Sequence, residues 1–466
     1  MRRALLSSIL ILACAVLALL ALAGGYLPQS VGMPDLHRLY MASMRSDQQP
    51  PVILIHGVYG AKLRGRDGHE RWPGGLRGLL FPSFQALALP IDAKTLAVGD
   101  DGTRAYALFD RVLGRDFYGA IVRTLEHAGG YVRGIPGHPM RNRGRQYYVF
   151  LYDWRRDDIE SARALDALIE RIRADYGQPK LRVDIVAHSN GGLIARYYAR
   201  YGRADLLDGN DFPVTQAGAA KIRRLILLGT PNFGSVSAVM ALIEGNQVGP
   251  RRMPPELLLT MPSTYELLPH ALTVWLIDGA GRPLPRDIFD VELWRQYRWG
   301  VFDPALRERV RRQYDDPAAG ERHLKVLERF FAKQLERARR FSWSLSVAEP
   351  ANPLRLVVLG GDCEKTPARL LLENVDGRAV PRQWPGDIAH PQPGVDYDAL
   401  MLEPGDGTVT KSSLLARDTL DPATPRNPDS HFPLDYPVFL CEHHTRLAGN
   451  PSFQDNLLQA LLSTDR

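Results

Sequence analysis

Short, mostly apolar runs recur along the chain from residue 51 onward. VILI (52–55) comes first, and YYVFLY (147–152), VDIVA (183–187), LILL (225–228), LRLVVL (354–359) and VFL (438–440) follow. Runs of this length without polar alternation predict strands buried on both faces, as a parallel sheet requires. Between the second and third runs the period changes. Ile159, Ala162, Leu165, Ile169 and Ile172 recur at three and four, which predicts a helix with one face against the sheet. Asp157 with Glu160 predicts a capping box at its start, and Gly177 with Pro179 predicts its end. Strands separated by helices imply parallel pairing with right-handed crossovers, so the fold class is α/β.

After Gly229-Thr230-Pro231 the alternation stops, and residues 235–350 are rich in proline, arginine and aromatic side chains. This stretch ends in a helical pattern with Leu324, Leu327, Phe331, Leu335 and Ala338 on one face. A segment that leaves one sheet and rejoins it is expected to form a cap over it, here mostly helical. The apolar face of the helix is expected to pack on the main body, with an interfacial lid surface as the other reading. The expected organisation is a core in two parts, 51–234 and 351–466, with the cap at 235–350 between them.

Composition narrows the function. A chain of 466 residues that is 45% hydrophobic has ample core. The net charge of +6 comes from 58 basic residues interleaved with 52 acidic ones, which argues against a nucleic-acid partner and suits mild attraction to an anionic membrane surface. Arg2 and Arg3 precede an apolar run from Ala4 to Ala23, which predicts an export segment. Ala21-Leu22-Ala23 places small side chains for cleavage before Gly24, giving a signal peptide at 1–23 and a linker at 24–50; retention of 4–23 as a membrane anchor is the alternative. Ile11-Leu12-Ala13-Cys14 has the form of a lipoprotein box but lies inside the apolar run, which argues against that use. The expected location is therefore periplasmic or secreted. Of the other cysteines, Cys363 and Cys441 either pair in an oxidising compartment or remain buried thiols. Cys-x-x-Cys and Cys/His ligand spacings do not occur, so no structural zinc is predicted.

The third run leads directly into the candidate chemistry. Ala187-His188-Ser189-Asn190-Gly191 joins a predicted strand to a predicted helix, the context in which Gly-x-Ser-x-Gly presents a serine nucleophile on a sharp turn. Alanine replaces the first glycine and keeps that position small. Without chemistry, Ser189 would read as a helix-capping residue. A serine nucleophile needs a base to take its proton, a carboxylate to orient that base, and donors for the oxyanion. His56-Gly57-Val58-Tyr59-Gly60 follows the first strand, where an oxyanion loop belongs, and nominates the amides of Val58 and Asn190. Asp406 sits between two glycines in Glu403-Pro404-Gly405-Asp406-Gly407-Thr408-Val409, and Asp362 is the second candidate acid. The base is His443 or His444 after the last strand, with His444, three before Leu447, preferred. His56, His188 and His431 read as hydrogen-bonding residues. This chemistry needs no metal or organic cofactor.

With those residues set out, the chain resembles the lecithin:cholesterol acyltransferase-like branch of the α/β hydrolases, which includes bacterial lipases and esterases. The likeness is carried by HGVYGAKL (56–63), YDWR (152–155), AHSNGGL (187–193), GTPNFGS (229–235) and GDGTV (405–409), with HHTRLAGNP (443–451) as a weaker match and MPSTYELLP (261–269) similar to cap sequence. The resemblance implies an α/β-hydrolase fold with Ser189 as nucleophile, Asp406 as acid, His444 as base, and Val58 and Asn190 as oxyanion donors. It implies a lipid-ester substrate and either hydrolysis or transfer of the acyl group to an alcohol. A non-catalytic exported binding protein on the same scaffold is the competing class.

Overall fold

In the computed structural model the described residues are 49–74, 84–109, 111–112, 115–116, 118–139, 144–248, 251–351 and 354–463. The export segment and most of the linker lie outside them. Among the described residues no helix is long and apolar enough to cross a membrane.

Seven strands form the main sheet: β1 (Val52–Ile55), β2 (Val132–Arg133), β3 (Gln146–Phe150), β4 (Val183–His188), β5 (Ile222–Leu228), β6 (Arg355–Gly361) and β7 (Leu434–Leu440). Their order is β7-β6-β5-β4-β1-β3-β2, and every neighbouring pair is parallel. Six were legible as apolar runs; β2, two residues long, carried no pattern. Three strands begin earlier than their apolar runs do, β3 by Gln146 alone. β5 opens with Ile222, Arg223 and Arg224, and the two guanidiniums are absorbed by Asp184 and by the carbonyls of Ala460 and Leu461. β7 includes Pro437, which an edge strand tolerates because a missing ladder donor can face outward.

The pleat divides the sheet into two apolar faces. Ile53, Ile55, Ile185, Ala187, Leu225 and Leu227 pack with α1 (Asp158–Tyr176) and α2 (Asn190–Tyr201). Val52, Leu54, Val186, Ile226 and Leu228 pack on the other face with the helix Tyr118–Arg123 and the C-terminal helix Pro451–Leu462. The layers are helix, sheet, helix, the arrangement of the α/β-hydrolase fold. The five periodic positions of α1 are all fully buried. Its cap is half of the expected box: Asp157 accepts the Ile159 amide, but Glu160 turns outward to Arg156 instead of reaching back. A guanidinium four residues away on the same face offers Glu160 a charge-assisted partner, which a backbone amide does not match. Gly177, at φ 61°, closes the helix in the left-handed conformation.

Between β5 and β6 the chain builds a second body around α3 (Val236–Glu244) and α4 (Pro317–Ser344). Leu324, Leu327, Phe331, Leu335 and Ala338 of α4 are buried among Val239, Leu242, Tyr265, Trp294 and Leu306. Those five positions close on the insertion's own core, while Phe341 towards the end of α4 packs on the main body, where it stacks on Tyr197 of α2. A further excursion after β6 joins this body, because Leu370–Val375 pairs in parallel with Leu276–Asp278.

Candidate active site

The nucleophile candidate stands where β4 ends. At Ser189 the backbone adopts φ 53°, ψ −126°, and α2 begins at the next residue. A non-glycine residue held at positive φ stores about 1–3 kcal/mol of strain and persists only where its surroundings enforce it. The enforcement here is close packing. A Cβ on Gly191 would lie 2.4 Å from the His56 carbonyl oxygen, and one on Gly192 would lie 2.0 Å from Thr230 Oγ1. Ala187 is fully buried in the place where the usual pattern has glycine. The Ser189 side chain does not cap α2, so the capping role is not the one it takes.

Asp406 and His444 come together from loops that follow β6 and β7. His444 Nδ1 lies 2.7 Å from Asp406 Oδ2, and the His444 amide donates to the Asp406 carbonyl at 2.7 Å. Asp406 Oδ1 accepts the amides of Thr408 at 3.0 Å and Val409 at 2.7 Å. The glycine-flanked turn thus satisfies one carboxylate oxygen itself and leaves the other for the imidazole. Gly229 makes room for the pair, since a Cβ there would lie 2.8 Å from His444 Nδ1. His443 is directed elsewhere, its Nδ1 3.2 Å from Thr445 Oγ1. Asp362, the second candidate acid, pairs with Lys411 Nζ at 2.8 Å.

The proposed oxyanion donors belong to two pinned segments. Asn190 is the first residue of α2, and an amide in the first helical turn has no intrahelical acceptor. Its side chain donates to Asp158 Oδ1 at 2.8 Å, and the Asp158 amide donates to the Glu266 carboxyl at 3.1 Å. Burial pushes both carboxyls well above the usual range, and for Glu266 the neighbouring Asp158 adds to the effect. On the other segment, the Gly57 amide donates to Tyr118 Oη at 2.7 Å. His56 donates from Nδ1 to the Gly57 carbonyl at 2.8 Å, stacks on Tyr152 and is pushed down to about 4 by burial. His188 is also buried and meets Tyr118 Oη at 2.8 Å through Nδ1. His431, by contrast, is partly exposed beside Glu349.

Ser189, His444 and Val58 line one cavity of about 440 Å³, whose walls are largely apolar: Phe109, Ala238, Ala241, Leu267 and Val409. Tyr59 and Asn246 also line it and hydrogen-bond to each other at 3.0 Å, joining the loop after β1 to the insertion. Among the described residues no group of three or more His, Cys, Asp or Glu side chains is placed to hold a metal ion. Ser189, His444 and Val58 therefore meet around this cavity, with Asp406 bound to His444 and Asn190 next to Ser189. Tyr118, Asp158 and Glu266 were not named, because nothing local marks them; their partners lie 32 to 108 residues away in the chain.

Comparison with known proteins bears on the family and the fold. The family model for lecithin:cholesterol acyltransferase matches residues 142–279, the stretch that contains the Ser189 turn. No curated protein matches the sequence. Among solved structures, a chain of the Tle4–Tli4 complex is similar at 14% identity and a TM-score of 0.52, over 89% of this chain and 98% of that one. At that identity the likeness concerns the fold alone. The mature Bacillus licheniformis lipase BlEst2 matches at 11% identity over 89% of this chain and 93% of its own, with a TM-score of 0.34. EstA from Clostridium botulinum matches at 11% identity over 92% and 90%, also at 0.34, and neither superposition is close enough to argue from.

Proposed function

We propose that this lecithin:cholesterol acyltransferase-like α/β hydrolase cleaves carboxylic esters of lipids through an acyl-serine intermediate. The observation that carries the reading is the His444–Asp406 pair, whose imidazole shares the wall of an apolar cavity with Ser189 at its strained turn. In this mechanism His444 Nε2 takes the Ser189 Oγ proton as Oγ attacks the ester carbonyl carbon. The carbonyl electron pair moves onto oxygen, where the Val58 and Asn190 amides stabilise it. Collapse restores the carbonyl and breaks the ester C–O bond, and the alcohol leaves with the proton from His444. Water then gives His444 a proton as it attacks the acyl carbon, and Ser189 Oγ departs and recovers that proton. Asp406 holds Nδ1–H throughout and stabilises the imidazolium.

A lipid acyl chain is the substrate class because the cavity walls are mostly apolar, and burying methylene groups there contributes about 0.8 kcal/mol each. Transfer to an alcohol is the second reading. It is favoured by the match of residues 142–279 to an acyltransferase family, and it differs only in replacing water with an alcohol in the second half. An exported protein working at a membrane surface fits the apolar run at 4–23 and the Cys363–Cys441 disulfide, a bond that persists in oxidising compartments.

The test is Ser189→Ala against a chromogenic ester. Activity is expected to fall by at least about 10⁴-fold, since loss of a serine nucleophile alone can cost on the order of 10⁶-fold. Unchanged turnover ends the reading and favours a non-catalytic binding protein. Incubation with phospholipid and sterol, with free fatty acid weighed against sterol ester, separates hydrolysis from transfer.

A further inference from the structure

We infer that Tyr118 is a positioning residue, its hydroxyl tying the backbone of the oxyanion loop to the imidazole that precedes the nucleophile. The inference rests on the ester chemistry proposed for Ser189. Tyr118 opens the helix Tyr118–Arg123, is buried, and lines the cavity. Its oxygen accepts the Gly57 amide at 2.7 Å, and its hydrogen is then directed to His188 Nδ1 at 2.8 Å. His188 can accept it because burial, with the nearby His444 and His56, keeps the ring neutral.

The consequence falls on Val58. Its amide belongs to the same planar peptide as the Gly57 carbonyl, which accepts His56 Nδ1 at 2.8 Å and the Gly60 amide at 3.0 Å. With that carbonyl held, the Val58 N–H faces the opposite way, and Val58 lines the cavity. Tyr118 holds the preceding peptide, so all of Gly57 is fixed against the nucleophile turn. The approach is tight: a Cβ on Gly57 would lie 2.7 Å from Ser189 Cβ. An oxyanion donor acts only when aimed at the charge before it forms, and a displacement of about 1 Å costs on the order of 100-fold in rate.

Tyr118→Phe removes one oxygen and leaves the ring. On a soluble short-chain ester, kcat is expected to fall about 30-fold with KM within about twofold, because the loss is confined to the transition state. Affinity for a trifluoromethyl ketone, whose tetrahedral serine adduct carries the oxyanion, should fall by the same factor. A kcat within about twofold of the parent, or a loss of kcat with unchanged ketone affinity, overturns the inference. If Tyr118→Phe does not fold, Tyr118→Phe/His188→Leu carries the test, since it leaves neither a hydroxyl nor an imidazole without a partner. The double variant should lose about as much as a single break in the chain, about 30-fold, whereas independent roles multiply towards about 1,000-fold and overturn the inference. Ser189→Ala in the same assay separates the two readings: an inactive Ser189→Ala beside an unimpaired Tyr118→Phe removes only the positioning role, and an active Ser189→Ala removes the ester chemistry itself.

Discussion

One position of register separates a buried imidazole that faces a carboxylate from a half-buried one that does not. His444 is 6% exposed and bound to Asp406, whereas His443 rests over Gly407, where a Cβ would lie 2.7 Å from the ring. On the proposed mechanism, His444→Ala should cost about 10⁴-fold in kcat/KM and His443→Ala no more than about threefold. Steady-state kinetics on one soluble ester compares them, and the reverse ranking moves the base by one residue. Why the five candidate residues were readable is itself physical. Ser189, Asp406 and the loop carrying Val58 each lie in a turn whose glycines or small residues are demanded by close approach, and such demands leave local patterns. The doubled histidine stayed open in the sequence because choosing between neighbours depends on where Asp406 arrives, which is a tertiary fact.

At the scale of elements, the short helix Pro262–Glu266 illustrates what the sequence withheld. Its stretch reads as cap sequence, yet Ser263 Oγ donates to the Trp154 carbonyl at 2.7 Å and Glu266 receives the Asp158 amide at the start of α1. The insertion is thereby fastened to the core directly behind the Ser189 turn. Burial first, then Asp158 and Asp157, raises the Glu266 pKa, with Arg337 opposing. A raised folded-state pKa gives stability that is complete below the unfolded value near 4.5 and is lost as pH rises through the folded value. Glu266→Gln does not titrate and keeps an acceptor for the Asp158 amide. Its Tm relative to the parent should therefore improve by about 1–2 °C or more between pH 5 and pH 8. Matched thermal scans in two buffers check this, and an advantage that shrinks with pH refutes the buried-acid account. Periodicity foretold α1 and α4 because each buries a continuous stripe. It did not foretell what α4 packs against, since an apolar stripe names no partner.

For the whole molecule, the two neighbouring strands at one side of the sheet are joined beyond their carboxyl ends by a covalent bond as well as by packing. Cys363 and Cys441 are joined across 78 residues, with Cα atoms 5.1 Å apart, just beyond β6 and β7. Pairing and burial as free thiols both stay open in the sequence, because the pairing depends on β6 and β7 being neighbours, and strand order is not written in any one strand. The bond lies where the acid and base loops depart: the Asp362 amide donates to the Leu440 carbonyl, and a Cβ on Gly361 would lie 2.1 Å from the Glu442 carbonyl oxygen and 2.8 Å from Asp406 Cβ. Closing a loop of this length restricts the unfolded chain by about 4–5 kcal/mol in the loop-entropy picture, and measured effects usually fall at about 2–4. The Cys363→Ser/Cys441→Ser variant should accordingly unfold at lower urea, with the unfolding free energy reduced by about 2–4 kcal/mol. Esterase activity should decay faster on warming than secondary structure does, because the loosened edge carries two of the three candidate groups. Coincident decay of activity and helicity at the parent's midpoint would mean that the sheet alone holds Asp406 against His444, and that the disulfide adds nothing to the site.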